Sequence, residues 1–364
     1  MSRTIKRYFF TLSLVCVICG SSLWAFSFTW APIDPLFREP LADPFAKSTT
    51  FRYLAVLDES SVPDSILIAD SEENAYTQIP YDDRKLHEYW HMKSAGNIGV
   101  LRFDLSSVVL EGYIQGGLNT VFQKKGSINA LGFDGMYGAG ASVNVYDLVT
   151  ITAGFHHFSG HWGDEILSDV LERNTELDFW SDDATKRLVE YTRGNSWIAG
   201  ISIQPSPAWR TYVIAELPMR SAWIRPGVHV PPQTVRPGSE DSQFDHITGQ
   251  EGITDTNVYD DSYKAWRVQA GAELRFPILS VGSIFVATDV QAHQDGQTKH
   301  MVGMYDKENP WEWTFSIGGG FEFNQGILNR KLRLEVFYHD GRFPLLNYFF
   351  QRSRYLTIGL SING

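Results

Sequence analysis

The sequence predicts an all-β fold: a transmembrane, antiparallel, up-and-down β-barrel of about twelve strands with short periplasmic turns and long extracellular loops. Three observations predict it. Many segments alternate apolar and polar residues with period two, and aromatic residues make up 14% of the 364-residue chain. No later segment has the eighteen or so consecutive apolar residues of a membrane-spanning helix, and a closed barrel is the other structure that satisfies its own backbone in lipid. Connections also alternate in length. Leu105–Ser107, Asn144–Asp147, Gln204–Pro207, Pro277–Ser280 and Asn324–Arg330 are short; Asp58–Asn97, Asn119–Ile128, Gly160–Lys186, Pro218–Ser262, Gln294–Pro310 and Gly341–Gln351 are longer.

At the N-terminus, Arg3, Lys6 and Arg7 precede an apolar run from Tyr8 to about Cys19, then small residues and a cleavage position after Ala25. This is the layout of a secretory signal peptide over residues 1–25. Both cysteines, Cys16 and Cys19, fall inside it, so the expected mature chain has no thiol or disulfide chemistry. The formal charge of −11 becomes −14 once its three basic residues are removed, which argues against nucleic acid as a partner. Residues 26–48 carry Pro32, Pro35, Pro40 and Pro44, excluding regular helix and central strand, and are read as an extended segment on the periplasmic side. The barrel is expected over residues 49–364, in a bacterial outer membrane, with outer-membrane lipids and the barrel-assembly machinery as partners.

Strands are expected at Phe51–Leu57, Ile98–Asp104, Val108–Leu118, Asn129–Val143, Leu148–Ser159 and Arg187–Ile203. Further strands follow at Ala208–Leu217, Lys264–Phe276, Val281–His293, Trp311–Phe323, Lys331–Asp340 and Arg352–Ile362. In Lys264–Phe276, Trp266, Val268, Ala270, Ala272, Leu274 and Phe276 share one face, opposite Arg267, Gln269, Glu273 and Arg275. Charged residues on such a face belong to a wet lumen when the other face meets lipid. The acidic run in Gly160–Lys186 reads as a solvated loop, with a divalent cation held between its carboxylates as the minority reading.

Chemistry concentrates in Phe155-His156-His157-Phe158-Ser159-Gly160-His161-Trp162-Gly163-Asp164-Glu165, where a strand runs out into that loop. Extending the alternation of Val149, Ile151, Ala153 and Phe155 puts His157 and Ser159 on the lipid-facing side. Two residues apart on a strand, they point the same way, as activation of a serine nucleophile by a histidine needs. The group orienting the imidazole stays open among Asp164, Glu165, and Glu190 and Asn195 on the next strand. A second reading makes His161, Asp164 and Glu165, with neighbouring histidines, ligands of a divalent cation such as calcium or zinc. A third makes the cluster a structural brace between strand end and loop.

His157-Phe158-Ser159-Gly160-His161-Trp162-Gly163-Asp164-Glu165 resembles the His-x-Ser-Ser-His-x-Gly-Asp-Glu signature of a family of functionally uncharacterised bacterial outer-membrane barrels. Leu36-Phe37-Arg38-Glu39-Pro40-Leu41-Ala42-Asp43-Pro44 is similar to that family's Pro-rich leading segment, and Tyr338-His339-Asp340-Gly341-Arg342 to its near-C-terminal motif. Gly160 stands where the family has a second Ser, and Phe343 where it has a small polar residue. The resemblance implies a fold and a location, without an activity. More distantly, the His157–Ser159 pair resembles the His-x-Ser pair of outer-membrane phospholipases and lipid A deacylases, which implies a lipid acyl hydrolase.

The sequence thus favours a barrel of porin-like or surface-structural role, with an acyl hydrolase using His157 and Ser159 as the alternative. Arg267, Glu273, Arg275, Glu312, Glu322, Lys331, Arg333 and Glu335 are expected to line the lumen, or to fill it and leave no open channel.

Overall fold

The computed structural model describes residues 27–32, 34–70, 75–81, 85–124, 129–179, 185–189, 194–219, 266–278, 280–294, 311–327 and 330–363. The expected signal peptide, and most of Pro218–Ser262 and Gln294–Pro310, lie outside them. In chain order the strands are β1 (Ser27–Trp30), β2 (Ser48–Val56), β3 (Ser65–Asp70), β4 (Ala75–Pro80), β5 (Glu88–Asp104), β6 (Val108–Gln123), β7 (Ala130–Val145) and β8 (Val149–Trp162). Helix α1 (Asp164–Arg173) follows, then β9 (Lys186–Leu188), β10 (Gly194–Ser206), β11 (Trp209–Pro218) and β12 (Arg267–Ile278). The last four are β13 (Gly282–His293), β14 (Glu312–Ile327), β15 (Arg330–Arg342) and β16 (Arg352–Asn363).

Twelve of these close into one antiparallel barrel: β2, β5 to β8 and β10 to β16, with β5 pairing β6 to complete the ring. Each of the twelve expected strands overlaps one of them, although the start of Arg187–Ile203 belongs to β9 and the barrel strand there begins only at Gly194. Alternation places side chains as expected: in β12, Arg267, Gln269, Glu273 and Arg275 are buried in the lumen, while Leu274 and Phe276 face outward. In β14, Trp313, Phe315 and Ile317 face outward. β5 begins ten residues earlier than expected: Trp90 and Met92 face outward there, but Ser94 and Gly96 interrupt the apolar alternation before Ile98.

The Pro-rich segment departs from expectation. Instead of lying at the periplasmic end, residues 36–47 cross the barrel interior. β1 pairs Leu101–Asp104 of β5 and β2 pairs Glu88–Lys93 of the same strand, so one wall strand is interrupted and the intervening chain turns inward. The lumen supplies what a proline-rich chain needs, donors for its carbonyls. Lys93 Nζ donates to Pro44 O (2.9 Å) and Ala46 O (2.8 Å), and Arg210 Nη2 donates to Arg38 O (2.5 Å). Asp43 accepts from Arg267 Nη2 (3.1 Å) and Gln291 Nε2 (2.9 Å), and Glu273 accepts from Leu41 N (3.2 Å). Phe37 packs on Tyr212 and Ile214, and Leu41 and Ala42 on Phe285 and Phe337.

Above the barrel, the expected loops form a lid. β4, β3 and β9 make a second sheet, and α1 lies between β8 and β9 in sequence. Ile66, Ile68, Ile166, Val170, Phe179, Leu188 and Phe343 to Phe350 residues such as Tyr348 and Phe349 pack with Trp162, Val121 and Tyr355 from the strand ends in one apolar core. The acidic run is therefore not only a solvated loop: Ile166 and Val170 turn one face of α1 into this core, while Asp164 and Glu165 stay exposed. Phe343, which departs from the resembled motif, is fully buried against Tyr89, Tyr348 and Tyr355.

Candidate active site

β8 carries the site because its alternation splits the cluster in two. His156 and Phe158 point inward and are buried; His157, Ser159 and His161 point outward. β7 and β10 flank β8, with Tyr137 and Asn195 both opposite His157, and Gly135 opposite Ser159. His157 is held from both sides. Its ring stacks on Tyr137 with centroids 4.5 Å apart and planes 18° from parallel, and its Nδ1 lies 2.9 Å from Asn195 Oδ1.

That hydrogen bond fixes the chemistry of the imidazole. An amide oxygen only accepts, so Nδ1 is the donor in this contact and the Nε2 edge of the ring is turned away from Asn195. Such a contact at Nδ1 is how an imidazole is held where its other nitrogen is to serve as a general base. Ser159 is the neighbouring hydroxyl on the same face of the strand. Its Oγ makes no hydrogen bond among the described residues, and it lies beside bare backbone: a Cβ on Gly135 would stand 3.2 Å from it.

Of the four candidates for the orienting group, Asn195 is the one hydrogen-bonded to the imidazole. Glu190 lies outside the described residues. Asp164 and Glu165 occupy the exposed first turn of α1, in the lid. The structure thus brings an amide from β10 to the imidazole and places the two carboxylates elsewhere, because the wall sets β10 beside β8 while the chain after Gly163 turns into a helix. His161 faces outward and stacks on Phe133, with centroids 4.8 Å apart. It is not gathered with Asp164 and Glu165 into a ligand set: no group of three or more His, Cys, Asp or Glu with metal-holding geometry occurs among the described residues.

Asn195 was within reach of the sequence, since it shares a face with the outward Trp197 and Ile201 and is the polar residue out of place there. Register decides between it and Glu190, and the long connection from Gly163 to Gly194 erases register from the sequence.

The site sits at the aromatic level of the outer wall. Phe133, Tyr137 and Trp197 around it are 44, 54 and 58% exposed. Such rings mark the interface between hydrocarbon and headgroups. On the inner face of the wall, across β5, β6 and β7, His91 Nε2 lies 2.7 Å from Asn119 Oδ1, and Asn119 Nδ2 donates to Asp134 Oδ2 (2.8 Å) and Pro344 O (2.7 Å). Asp134 also accepts from Leu346 N (3.1 Å), which ties the lid to the wall at the height of Ser159.

No family model matches the chain, and no curated protein matches it; the signature family is therefore not confirmed. Similar solved structures are outer-membrane barrels. The outer-membrane phospholipase A of Escherichia coli is 11% identical, covering 91% of this chain and 93% of its own, with a TM-score of 0.39. The calcium-bound dimer of the Salmonella typhi outer-membrane phospholipase is 12% identical, with coverage of 87% and 91% and a TM-score of 0.40. An outer-membrane channel from Pseudomonas putida F1 is 7% identical, with coverage of 91% and 99% and a TM-score of 0.35. Phospholipases and channels stand side by side in this set; the closed, twelve-stranded antiparallel barrel rests on the strand pairing of this chain itself.

Proposed function

We propose that this barrel is a lipid acyl hydrolase whose nucleophile is Ser159, whose general base is His157 and whose orienting group is Asn195. The observation that carries the reading is the 2.9 Å contact between His157 Nδ1 and Asn195 Oδ1 on the lipid-facing side, next to Ser159. A brace between strand end and loop has no need of such a pair there, because the lid is fastened from the inner face through Asp134 and Trp162, whose Nε1 donates to Val189 O (2.9 Å). The porin-like reading that the sequence favoured has less support, since residues 36–47 occupy the lumen and the lid core lies over it.

In the reaction, Ser159 Oγ attacks the carbonyl carbon of an ester presented from the outer leaflet, and His157 Nε2 takes the hydroxyl proton. The tetrahedral intermediate collapses, the C–O bond to the alcohol breaks, and His157 returns the proton to the departing oxygen. Water then repeats the sequence and releases the fatty acid. The Ser159–His157 hydrogen bond closes when substrate arrives, as is common where the resting geometry is loose.

The test is fatty-acid release from phospholipid and from lipid A by refolded protein in detergent micelles, with and without calcium. Release by the wild type that Ser159→Ala and His157→Ala both lose, with heat-modifiable gel mobility retained, is the expected result. No release from either substrate by folded wild type rejects the proposal.

A further inference from the structure

Ser159 lies midway along a trough in the outer wall. On β7, Phe133, Gly135 and Tyr137 point outward in succession, opposite His161, Ser159 and His157 of β8. The two ends of this ladder are closed by stacked pairs, Phe133 on His161 at 4.8 Å and Tyr137 on His157 at 4.5 Å. The middle rung has almost nothing on it. Gly135 has no side chain, and the Cβ it lacks would sit 3.2 Å from Ser159 Oγ.

Walls four residues apart on a strand are separated by about 13 Å at the backbone, and the ring half-widths narrow the opening. What remains between the pairs Phe133–His161 and Tyr137–His157 is a slot open to the bilayer, with Gly135 and Ser159 along its floor. Its rims are aromatic, so it favours hydrocarbon over a charged headgroup.

We propose that Gly135 is the floor of an acyl-chain subsite: the chain next to the scissile ester lies across β7 over Gly135, between Phe133 and Tyr137, and brings its carbonyl to Ser159. This rests on the hydrolase reading and adds to it the substrate class, an ester with a long hydrocarbon chain on its acyl side. Any side chain at position 135 narrows the slot, and removal of Phe133 opens one wall of it. Both changes cut the preference for long chains. Neither touches the hydrogen bond between His157 and Asn195.

The experiment pairs a kinetic readout with a binding one. The kinetic readout is the ratio of kcat/KM for p-nitrophenyl palmitate to that for p-nitrophenyl butyrate, in wild type, Gly135→Val, Phe133→Ala and Ser159→Ala. The binding readout is the imidazole NMR of His157 and His161 during titration with a dihexadecyl ether phosphocholine, which has no ester to cleave. The expected result is a ratio lowered about tenfold in both wall and floor variants, with histidine shifts in wild type that Gly135→Val loses. Should Gly135→Val fail to fold, Phe133→Ala carries the same test. Cleavage that depends on Ser159 but keeps the wild-type ratio in both variants overturns the subsite and leaves the hydrolase standing. Absence of cleavage that depends on Ser159 overturns the hydrolase, and the titration then decides alone: no shift in wild type, or an equal shift in Gly135→Val, overturns the subsite, whereas a shift lost in Gly135→Val upholds it as a lipid site.

Discussion

The inner and outer faces of the barrel wall both carry polar side chains, and they use them differently. Inside, charge is matched to charge. Arg52 pairs Glu335 at 2.6 Å, Arg210 and Arg275 share Glu273 at 3.0 and 3.1 Å, and Arg333 pairs Glu322 at 2.7 Å. These groups are buried, and what they hold is the Pro-rich segment and the shape of the lumen. Outside, apart from the rim of β8, the wall around the site presents Ile151, Trp197, Ile201 and Val213 to lipid. There His157, Ser159 and Asn195 stand together with no charge partner among the described residues to explain them structurally. A polar group facing lipid loses hydration for no packing gain. The comparison teaches that the same chemistry reads as architecture on one face and as function on the other.

The largest expected effect lies on the outer face: Ser159→Ala lowers ester hydrolysis by about 10⁴-fold with unchanged urea midpoint, measured by fatty-acid release and by gel mobility of the same samples. The inner face responds in the opposite sense. Arg52→Ala leaves Glu335 buried without its cation and costs about 3–5 kcal/mol, seen as a lower urea midpoint at little change in kcat. If Arg52→Ala abolished activity as fully as Ser159→Ala while the barrel stayed folded, the division between faces would fail.

A smaller effect sharpens the outer face. Asn195 is a neutral amide that orients His157, so Asn195→Ala removes one hydrogen bond and lowers kcat about 10–100-fold, with Asn195→Gln keeping less than the wild-type rate because the oxygen moves. An Asn195→Ala enzyme at full rate would assign the orienting role elsewhere. The lumen gives a further contrast, because a barrel filled by residues 36–47 shows no steady open steps in planar bilayers. Sustained conductance by the full chain would return the porin-like reading.

The smallest effect concerns the lid. Tyr81 and Tyr348 are buried there, 3.1 Å apart through their hydroxyls. Burial pushes the Tyr81 hydroxyl well above the ordinary tyrosine range, with the neighbouring Tyr348 adding to it, and burial raises Tyr348 too. A folded-state pKa raised above the unfolded value gives stability that is complete below about pH 10 and is lost as pH rises above it. Limited proteolysis of the lid is therefore expected to quicken above that pH in wild type and to change less in Tyr81→Phe. Equal quickening in both would remove the tyrosine pair from the account.

How much of this was legible depends on which periodicity the residues obeyed. The wall strands were readable because Trp313, Phe315 and Ile317, or Leu274 and Phe276, alternate with polar residues as lipid and lumen require. The lid was not, because β3 is short and buries Ile66, Leu67 and Ile68 in succession, which leaves no period-two alternation to read. The Pro-rich segment was legible as non-helical, yet its place inside the lumen depends on Lys93, Arg210 and Arg267, which come from three distant strands. At the site, His157 and Ser159 share one strand and were visible together. Asn195 arrives from the next strand through a register that the intervening connection leaves unspecified.

The most direct measurement is capture of the acyl-enzyme. Folded protein is mixed with a slowly hydrolysed long-chain ester and quenched in acid, and the peptides are weighed by mass spectrometry. The bond that forms joins the acyl carbon to Ser159 Oγ, and the alcohol leaves with the proton carried by His157. The expected result is an acyl mass on the Ser159 peptide of wild type, a reduced yield in Asn195→Ala and none in His157→Ala. An acyl group on another residue, or an equal yield on Ser159 in His157→Ala, would contradict it.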